Sequence, residues 1–131
     1  MRACLQSGVY ATQTGCYRND IALPTDRKTL ANYLSEAGYD TAYIGKWHLA
    51  SDKEHDLKTK ATPKERRGGY DYWRAADVLE FTSHGYNGYI FDGDGNALTS
   101  RATERRDKRL RRRIHRETAA RQAVLYVCLS A

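Results

Sequence analysis

The chain has 131 residues, which is enough for one domain, and 40% of them are hydrophobic. Its formal charge of +6 is uneven: residues 1–100 contain 12 Lys and Arg against 13 Asp and Glu, whereas residues 101–131 contain 10 against 3. This distribution argues against a nucleic-acid-binding protein as a whole, and the absence of any run of about 18 apolar residues predicts no membrane span.

A helix followed by a strand is the clearest pattern in the first half of the chain. The stretch TLANYLSEAGY places apolar side chains at i, i+3, i+4 and i+7, from Leu30 to Ala37, and Gly38 suits the left-handed residue that follows a helix. This predicts a helix over residues 28–37. The next segment, DTAYIG, is rich in strand formers and predicts a strand over residues 40–45. The short link between the two is typical of an α/β fold.

The rest of the chain is less regular. Residues 51–69 are charged and contain Pro63, so they predict an exposed loop. A short strand is predicted at 89–91, closed by the Gly-rich turn that follows. The basic tail, residues 101–131, has few apolar residues at helical spacing and predicts either a basic helix or a disordered segment. The expected architecture is therefore an incomplete α/β sheet with flanking helices and a separate tail.

Two side chains of chemical interest follow the predicted strand directly. If the backbone stays extended, Lys46 and His48 point to one side and Trp47 points to the other. Ligands of open α/β sheets bind outside the carboxyl ends of the strands, and an ammonium beside an imidazole suits an oxyanion such as sulfate or phosphate. A solvated lysine and a histidine bonded to a backbone carbonyl are the ordinary alternative. The pair alone favours that alternative.

The sequence around Lys46 and His48 resembles that of a known family. The segment TLANYLSEAGYDTAYIGKWHLA is similar to the helix, strand and G-K-W-H-x-G signature of the formylglycine-dependent sulfatases, with Ala50 in place of the last glycine. The N-terminal RACLQSG matches the second half of that family's C-x-P-x-R-x-x-x-[ST]-G signature, with Arg2, Ser7 and Gly8 in place. GGYDYW looks like its G-[FY]-D-x-[FW] element. The resemblance covers roughly residues 2–96.

The resemblance implies a partial α/β domain of the alkaline phosphatase superfamily that acts on an aryl or carbohydrate sulfate. In such enzymes a cysteine is converted to formylglycine, whose hydrate attacks sulfur. Arg2 would hold this hydrate, and Lys46 would contact both the hydrate and the sulfate ester, stabilising the charge on the sulfate oxygens. His48 would form a hydrogen bond to the formylglycine hydroxyl and assist elimination as a base.

Several family features are missing from the sequence. The signature cysteine or serine would precede Met1, and Cys4 occupies a variable position of the motif, so Cys4 is not a substitute nucleophile. Calcium is implied for the family, but the paired aspartates and the later D-[NQH] element that bind it are absent. We therefore interpret Met1 as an internal start and residues 1–100 as a fragment of a catalytic domain. Catalysis by this chain alone is not expected.

No metal site is predicted within the chain. DGDGN, from Asp92, starts like a calcium loop, but Ala97 and Thr103 replace its glycine and its bidentate glutamate, so a hairpin turn is the better interpretation. The three cysteines have no C-x-x-C spacing, which argues against a zinc site.

Other functions remain open at this point. The chain could be a non-catalytic remnant, or a phosphonate or phosphodiester hydrolase of the same superfamily, because lysine and histidine do not separate sulfate from phosphate. The arginine-rich tail could bind phosphates, but residues 101–121 lack aromatic side chains that would stack on bases. A shift of reading frame near residue 97 is the interpretation that we favour for the tail.

Overall fold

The computed structural model describes residues 1–83, 87–99 and 125–129, the last segment as backbone only. The helices are α1 (Arg2–Ser7), α2 (Ala11–Thr14) and α3 (Leu30–Glu36), and two 3₁₀ turns lie at Lys64–Arg66 and Leu79–Phe81. The strands are β1 (Thr41–Lys46), β2 (Tyr72–Ala76), β3 (Tyr89–Asp92), β4 (Ala97–Thr99) and β5 (Leu125–Leu129). None of the described helices is long and apolar enough to cross a membrane.

The five strands form one mixed sheet in the order β4-β3-β2-β1-β5. β1 lies between two parallel neighbours, β2 and β5, while β3 and β4 form an antiparallel hairpin at the other edge. β1 is buried along almost its whole length, as expected for a strand with parallel neighbours on both sides. The carboxyl ends of β1 and β2 therefore meet at one edge of the sheet. The predicted α/β class is confirmed.

The predicted helix and strand are both present. The helix is shorter than predicted because Thr29 caps it: Asn32 accepts a hydrogen bond from the backbone N–H of Thr29 at 2.9 Å, which fixes the first turn. At the other end Gly38 has φ 85°, the left-handed conformation expected of it. β1 begins and ends one residue later than predicted, and β3 extends the predicted strand 89–91 by one residue.

Aromatic rings form the centre of the core. Tyr43 contacts Trp47 edge-on, with ring centroids 4.9 Å apart, and stacks on Trp73 at 5.3 Å. The polar atoms of such rings need partners when buried. The Tyr43 hydroxyl donates to the carbonyl of Lys46 at 2.5 Å, and the hydroxyl of Tyr70 donates to Oε1 of Gln6 at 2.8 Å. Tyrosine hydroxyls thus connect the core to both α1 and the end of β1.

The segment 51–69 is not simply the exposed loop that its charge predicted. Leu57 and Thr62 are buried, and so is Arg67. The Arg67 guanidinium donates hydrogen bonds to the carbonyl oxygens of Thr62 at 2.8 Å and Gly93 at 2.6 Å, and lies over the ring of Trp73 at 5.6 Å. Carbonyl acceptors and an aromatic face compensate for the burial of this charge, and local sequence does not reveal such distant partners.

The basic tail is described only in part. Residues 125–129 form β5, which pairs in parallel with β1, so the helix considered for the tail is wrong for these five residues. Residues 100–124, which include the whole arginine run, lie outside the described residues. The interpretation of the tail as a shifted reading frame therefore stays a prediction, as does the domain boundary at residue 100.

Candidate functional site

The backbone changes direction immediately after β1. The N–H of Trp47 still donates to the carbonyl of Ala76 at 2.9 Å, but His48 has φ 54°. Left-handed backbone is uncommon for a residue other than glycine, and such strain is concentrated at functional sites. The expectation that an extended backbone continues to residue 48 is therefore wrong. Trp47 is buried in the core, with 1% of its surface exposed.

A buried carboxylate organises the turn that follows His48. Asp77, directly after β2, is fully buried, and its Oδ1 accepts hydrogen bonds from the N–H groups of Leu49 and Ala50, both at 3.0 Å. Its Oδ2 accepts a bond from the N–H of Ser51 at 2.8 Å and another from the Ser51 hydroxyl. The sequence analysis missed Asp77. The available signal was a single acidic residue at the end of an apolar strand, in RAAD.

Arg2 and His48 lie on one cavity of about 140 Å³. Cys16, Arg18 and Leu49 also line it. Arg2 stands at the start of α1, whose Gln6 side chain is bonded to Tyr70 of the core, and His48 reaches the cavity from the turn after β1. Two residues that are 46 positions apart in the sequence therefore share a cavity with a second arginine, Arg18.

Lys46 is close to this cavity but does not line it. Its side chain is buried, with 8% of its surface exposed, and its Nζ forms an ion pair with the carboxylate of Glu80. The Glu80 side chain is 60% exposed and belongs to the 3₁₀ turn after β2. The hydrogen bond from Lys46 lowers the pKa of Glu80. Glu80 is a second residue that sequence reasoning missed.

The charges around His48 act on its imidazole in opposite directions. Burial lowers the pKa of His48 from its ordinary value of 6.5, and the positive charges of Lys46 and Arg2 lower it further. The carboxylates of Asp77 and Glu80 act the other way and raise it. The net effect is a lowered pKa, so the imidazole is neutral at pH 7 and can both donate and accept a hydrogen bond.

The described residues do not provide a calcium site. Across 1–83 and 87–99, no group of three or more His, Cys, Asp or Glu side chains is arranged to hold a metal ion. The Asp92 carboxylate accepts bonds from the N–H groups of Asp94 at 3.0 Å and Asn96 at 2.9 Å. The predicted hairpin turn is confirmed, because these bonds close the loop between β3 and β4.

A larger cavity, of about 480 Å³, lies elsewhere against Trp47 and is lined also by Arg27, Lys64 and Gly68. None of the three predicted site residues lines it. Size alone does not identify a site, and the strained histidine and the converging charges belong to the smaller cavity.

Comparisons with known proteins identify the family. The sulfatase family model matches residues 1–131. An ulvan-active sulfatase of Formosa agariphila is 43% identical over 86 residues, which cover 66% of this chain and 15% of that protein. The N-acetylglucosamine-6-O-sulfatase of Bacteroides thetaiotaomicron is 33% identical over 89 residues, covering 65% of this chain and 16% of that protein. The chain thus spans about a sixth of the length of these relatives.

Solved structures agree on the fold. A protein from a glycosaminoglycan-metabolism locus of Bacteroides thetaiotaomicron superposes with a TM-score of 0.69 at 22% identity, over 96% of this chain and 30% of that one. A second, solved with its substrate D-glucosamine-2-N,6-O-disulfate, gives a TM-score of 0.61 at 24% identity, over 95% of this chain and 22% of that one. Because the family match extends over the whole sequence, the chain belongs to the sulfatase family.

Proposed function

We propose that this chain forms one wall of the sulfate pocket of a sulfuric ester hydrolase, with Arg2, Lys46 and His48 as the residues that meet the sulfate group. The observation that supports this most directly is the cavity shared by Arg2 and His48, with the Lys46 ammonium close enough to lower the pKa of the histidine. Two of the three groups that the family signatures associate with one sulfate thus share a cavity, and the charge of the third, Lys46, acts on the same imidazole.

The two cations act by binding charge. A sulfate ester is a monoanion whose oxygens gain charge as the ester bond breaks, and fixed cations in a partly buried site stabilise that charge. Arg2 offers a planar fork of donors, whereas Lys46 offers a compact ammonium from a buried side chain. Glu80 holds this ammonium in place, and its exposed side chain can move aside when sulfate arrives.

His48 has a different role because its pKa is lowered. A neutral imidazole can donate a hydrogen bond to an oxygen of the reacting group and can accept a proton from it, which is the requirement for a general base. Formylglycine supplies the nucleophile in sulfatases of this type, and calcium offsets negative charge. No described cluster fits calcium, so the roles proposed here are limited to binding, orientation and proton transfer by the chain's own residues.

The substrate class that we favour is a sulfated carbohydrate. The relatives include an ulvan-active sulfatase and an N-acetylglucosamine-6-O-sulfatase, and both names indicate sulfated sugars. An aryl sulfate shares the same reacting group, and a phosphate ester shares its tetrahedral shape. Because the chain spans a small part of its relatives, the hydrolytic activity itself belongs to the proposal.

Anion binding by the chain tests this function. Inorganic sulfate is titrated into the labelled chain, and the dissociation constant is read from the NMR shifts of the His48 imidazole. Lys46→Met and Arg2→Met should each weaken sulfate binding by about 10- to 100-fold, since a hydrogen bond to a charged group contributes roughly 1.5–3 kcal/mol. The matched control is Lys28→Met, because Lys28 also pairs with a glutamate, Glu36, but on the exposed surface of α3.

Three results would contradict the proposal. The first is equal affinity of the Lys46→Met, Arg2→Met and Lys28→Met variants for sulfate. The second is tighter binding of inorganic phosphate than of sulfate at the same net charge, which would favour a phosphoryl-transfer relative. The third is sulfate binding that disappears when the arginines of residues 101–121 are replaced by glutamine while β5 is left in place beside β1, which would place the anion on the basic tail.

A further inference from the structure

We propose that Asp77 is a positioning residue that holds His48 at the cavity by clamping the turn over residues 49–51. This inference rests on the proposed function, because it assigns His48 to sulfate binding. It adds a residue that does not touch the substrate and that lies outside the segments on which the family resemblance was based.

The carboxylate of Asp77 is used completely by this turn. Each of its two oxygens accepts two hydrogen bonds, and all four donors belong to Leu49, Ala50 and Ser51. Because Asp77 is fully buried, these donors replace the water that the carboxylate lost. Three successive N–H groups pointing at one carboxylate also compensate for its charge. The turn therefore cannot relax without exposing a buried charge.

Hydrogen bonds to Ala76 and Asp77 hold the backbone just before and just after His48. The Ala76 carbonyl accepts the N–H of Trp47 at 2.9 Å, just before His48, while the Asp77 carboxylate holds the three residues just after it. Ala76, the last residue of β2, and Asp77, directly after it, thus fix the backbone on both sides of a histidine with φ 54°. A residue other than glycine rarely keeps this backbone conformation unless its surroundings impose it.

A purely structural carboxylate would stabilise the fold without influencing the imidazole. Asp77 differs because its negative charge raises the pKa of His48, against the lowering by Lys46 on β1 and Arg2 on α1. Glu80, from the turn after β2, also raises it. Because loss of this charge alone would lower the pKa of His48, the affinity for sulfate is the measurement that tests the positioning role.

The test uses Asp77→Asn and a matched control, Asp71→Asn. Asp71 lies directly before β2 and also accepts bonds from β1, from the N–H of Thr41 at 2.9 Å and its hydroxyl at 2.8 Å, but at the strand end away from His48. NMR titration gives the pKa of His48, and added inorganic sulfate gives the affinity. Asp77→Asn should lower this pKa and weaken sulfate binding at least threefold. Asp71→Asn should change neither.

The outcomes separate the two proposals. If Asp77→Asn folds and leaves the sulfate affinity unchanged, the positioning role is wrong even when the pKa of His48 falls, because loss of the charge alone accounts for that fall. If the His48 imidazole of the unaltered chain does not respond to sulfate, the proposed function itself fails. Should Asp77→Asn not fold, Ser51→Ala removes only the hydroxyl bond to the carboxylate, and it should shift the His48 signals in the same direction by a smaller amount. Unchanged signals there would also overturn the positioning role.

Discussion

Replacing Gly68 by alanine should disturb the residue that lies between Lys46 and His48. Gly68 has φ 64°, and a Cβ built there would lie 2.9 Å from Cη2 of Trp47 and 3.2 Å from its Cζ2. Real Cβ atoms almost never come this close to a neighbour. The indole is a poor candidate for moving aside, because it is buried and its Nε1 donates to the carbonyl of Arg66 at 2.9 Å.

The expected loss of stability has two parts. A left-handed conformation costs a side-chain-bearing residue about 1–2 kcal/mol. Overpacking a tight core costs a further 1–3 kcal/mol, roughly. The free energy of unfolding of Gly68→Ala should therefore fall by about 2–5 kcal/mol, which is a large fraction of the stability of an ordinary domain.

A second glycine separates these two parts. Gly15 has φ 79°, but nothing lies within 4 Å of the position that a Cβ would take. Gly15→Ala should thus lose only the backbone part, about 1–2 kcal/mol. Urea unfolding followed by tryptophan fluorescence measures both variants, because the two tryptophans of the chain are buried in the same core. Near-ultraviolet circular dichroism should change in Gly68→Ala alone.

The comparison can refute the reasoning. If Gly68→Ala and Gly15→Ala differ by less than about 0.5 kcal/mol, the contact of residue 68 with Trp47 does not limit the fold. A near-ultraviolet spectrum of Gly68→Ala that matches the unaltered chain would lead to the same conclusion, since the indole would then have kept its place against Tyr43.

Three further predictions concern charge. Because the pKa of His48 is lowered in the folded chain, the contribution of His48 to stability is complete above pH 6.5 and is lost as the pH falls towards the pKa of the folded state. His48→Gln should therefore remove the pH dependence of the free energy of unfolding, measured with urea, in that window. The hydrogen bond from Arg66 keeps the pKa of Asp52 far below 3.8, so the contribution of Asp52 to stability is lost only as the pH falls below 3.8. Arg66→Met should raise this pKa, which a carboxyl NMR titration measures. Glu80→Gln should tighten sulfate binding in calorimetry, since the Lys46 ammonium loses a competing carboxylate; weaker binding would contradict this.

Local patterns predicted the part of the fold that depends on neighbouring residues. Apolar spacing from Leu30 to Ala37 identified α3, and the strand formers after Asp40 identified β1, each within two residues of its observed ends. The sequence also predicted that Lys46 and His48 come at the end of a buried strand, and β1 ends at Lys46. These features depend on contacts within a turn of helix or along one strand.

The remaining features depend on partners that are distant in the sequence. Alternation along a strand placed Lys46 and His48 on one side only for an extended backbone, but the backbone is left-handed at His48, and the carboxylate of Asp77, 29 residues further on, accepts hydrogen bonds from the residues that follow. Likewise, Arg67 was assigned to an exposed loop because nothing near it signals the carbonyl of Gly93. Hydrogen bonds between segments that meet only in the folded sheet leave no local pattern.

The small size of α1 has a consequence for how the cavity is assembled. A helix of six residues has no independent stability in water. The direction in which Arg2 points therefore depends on the residues against which α1 packs. The bond between Gln6 and Tyr70 is part of that support. A peptide of the first fifteen residues would keep the Arg2 guanidinium but would not hold it in a fixed direction. If the proposed wall binds an anion, its affinity therefore depends on the contacts that hold α1 against the rest of the fold, including the buried Ala3 as well as Gln6.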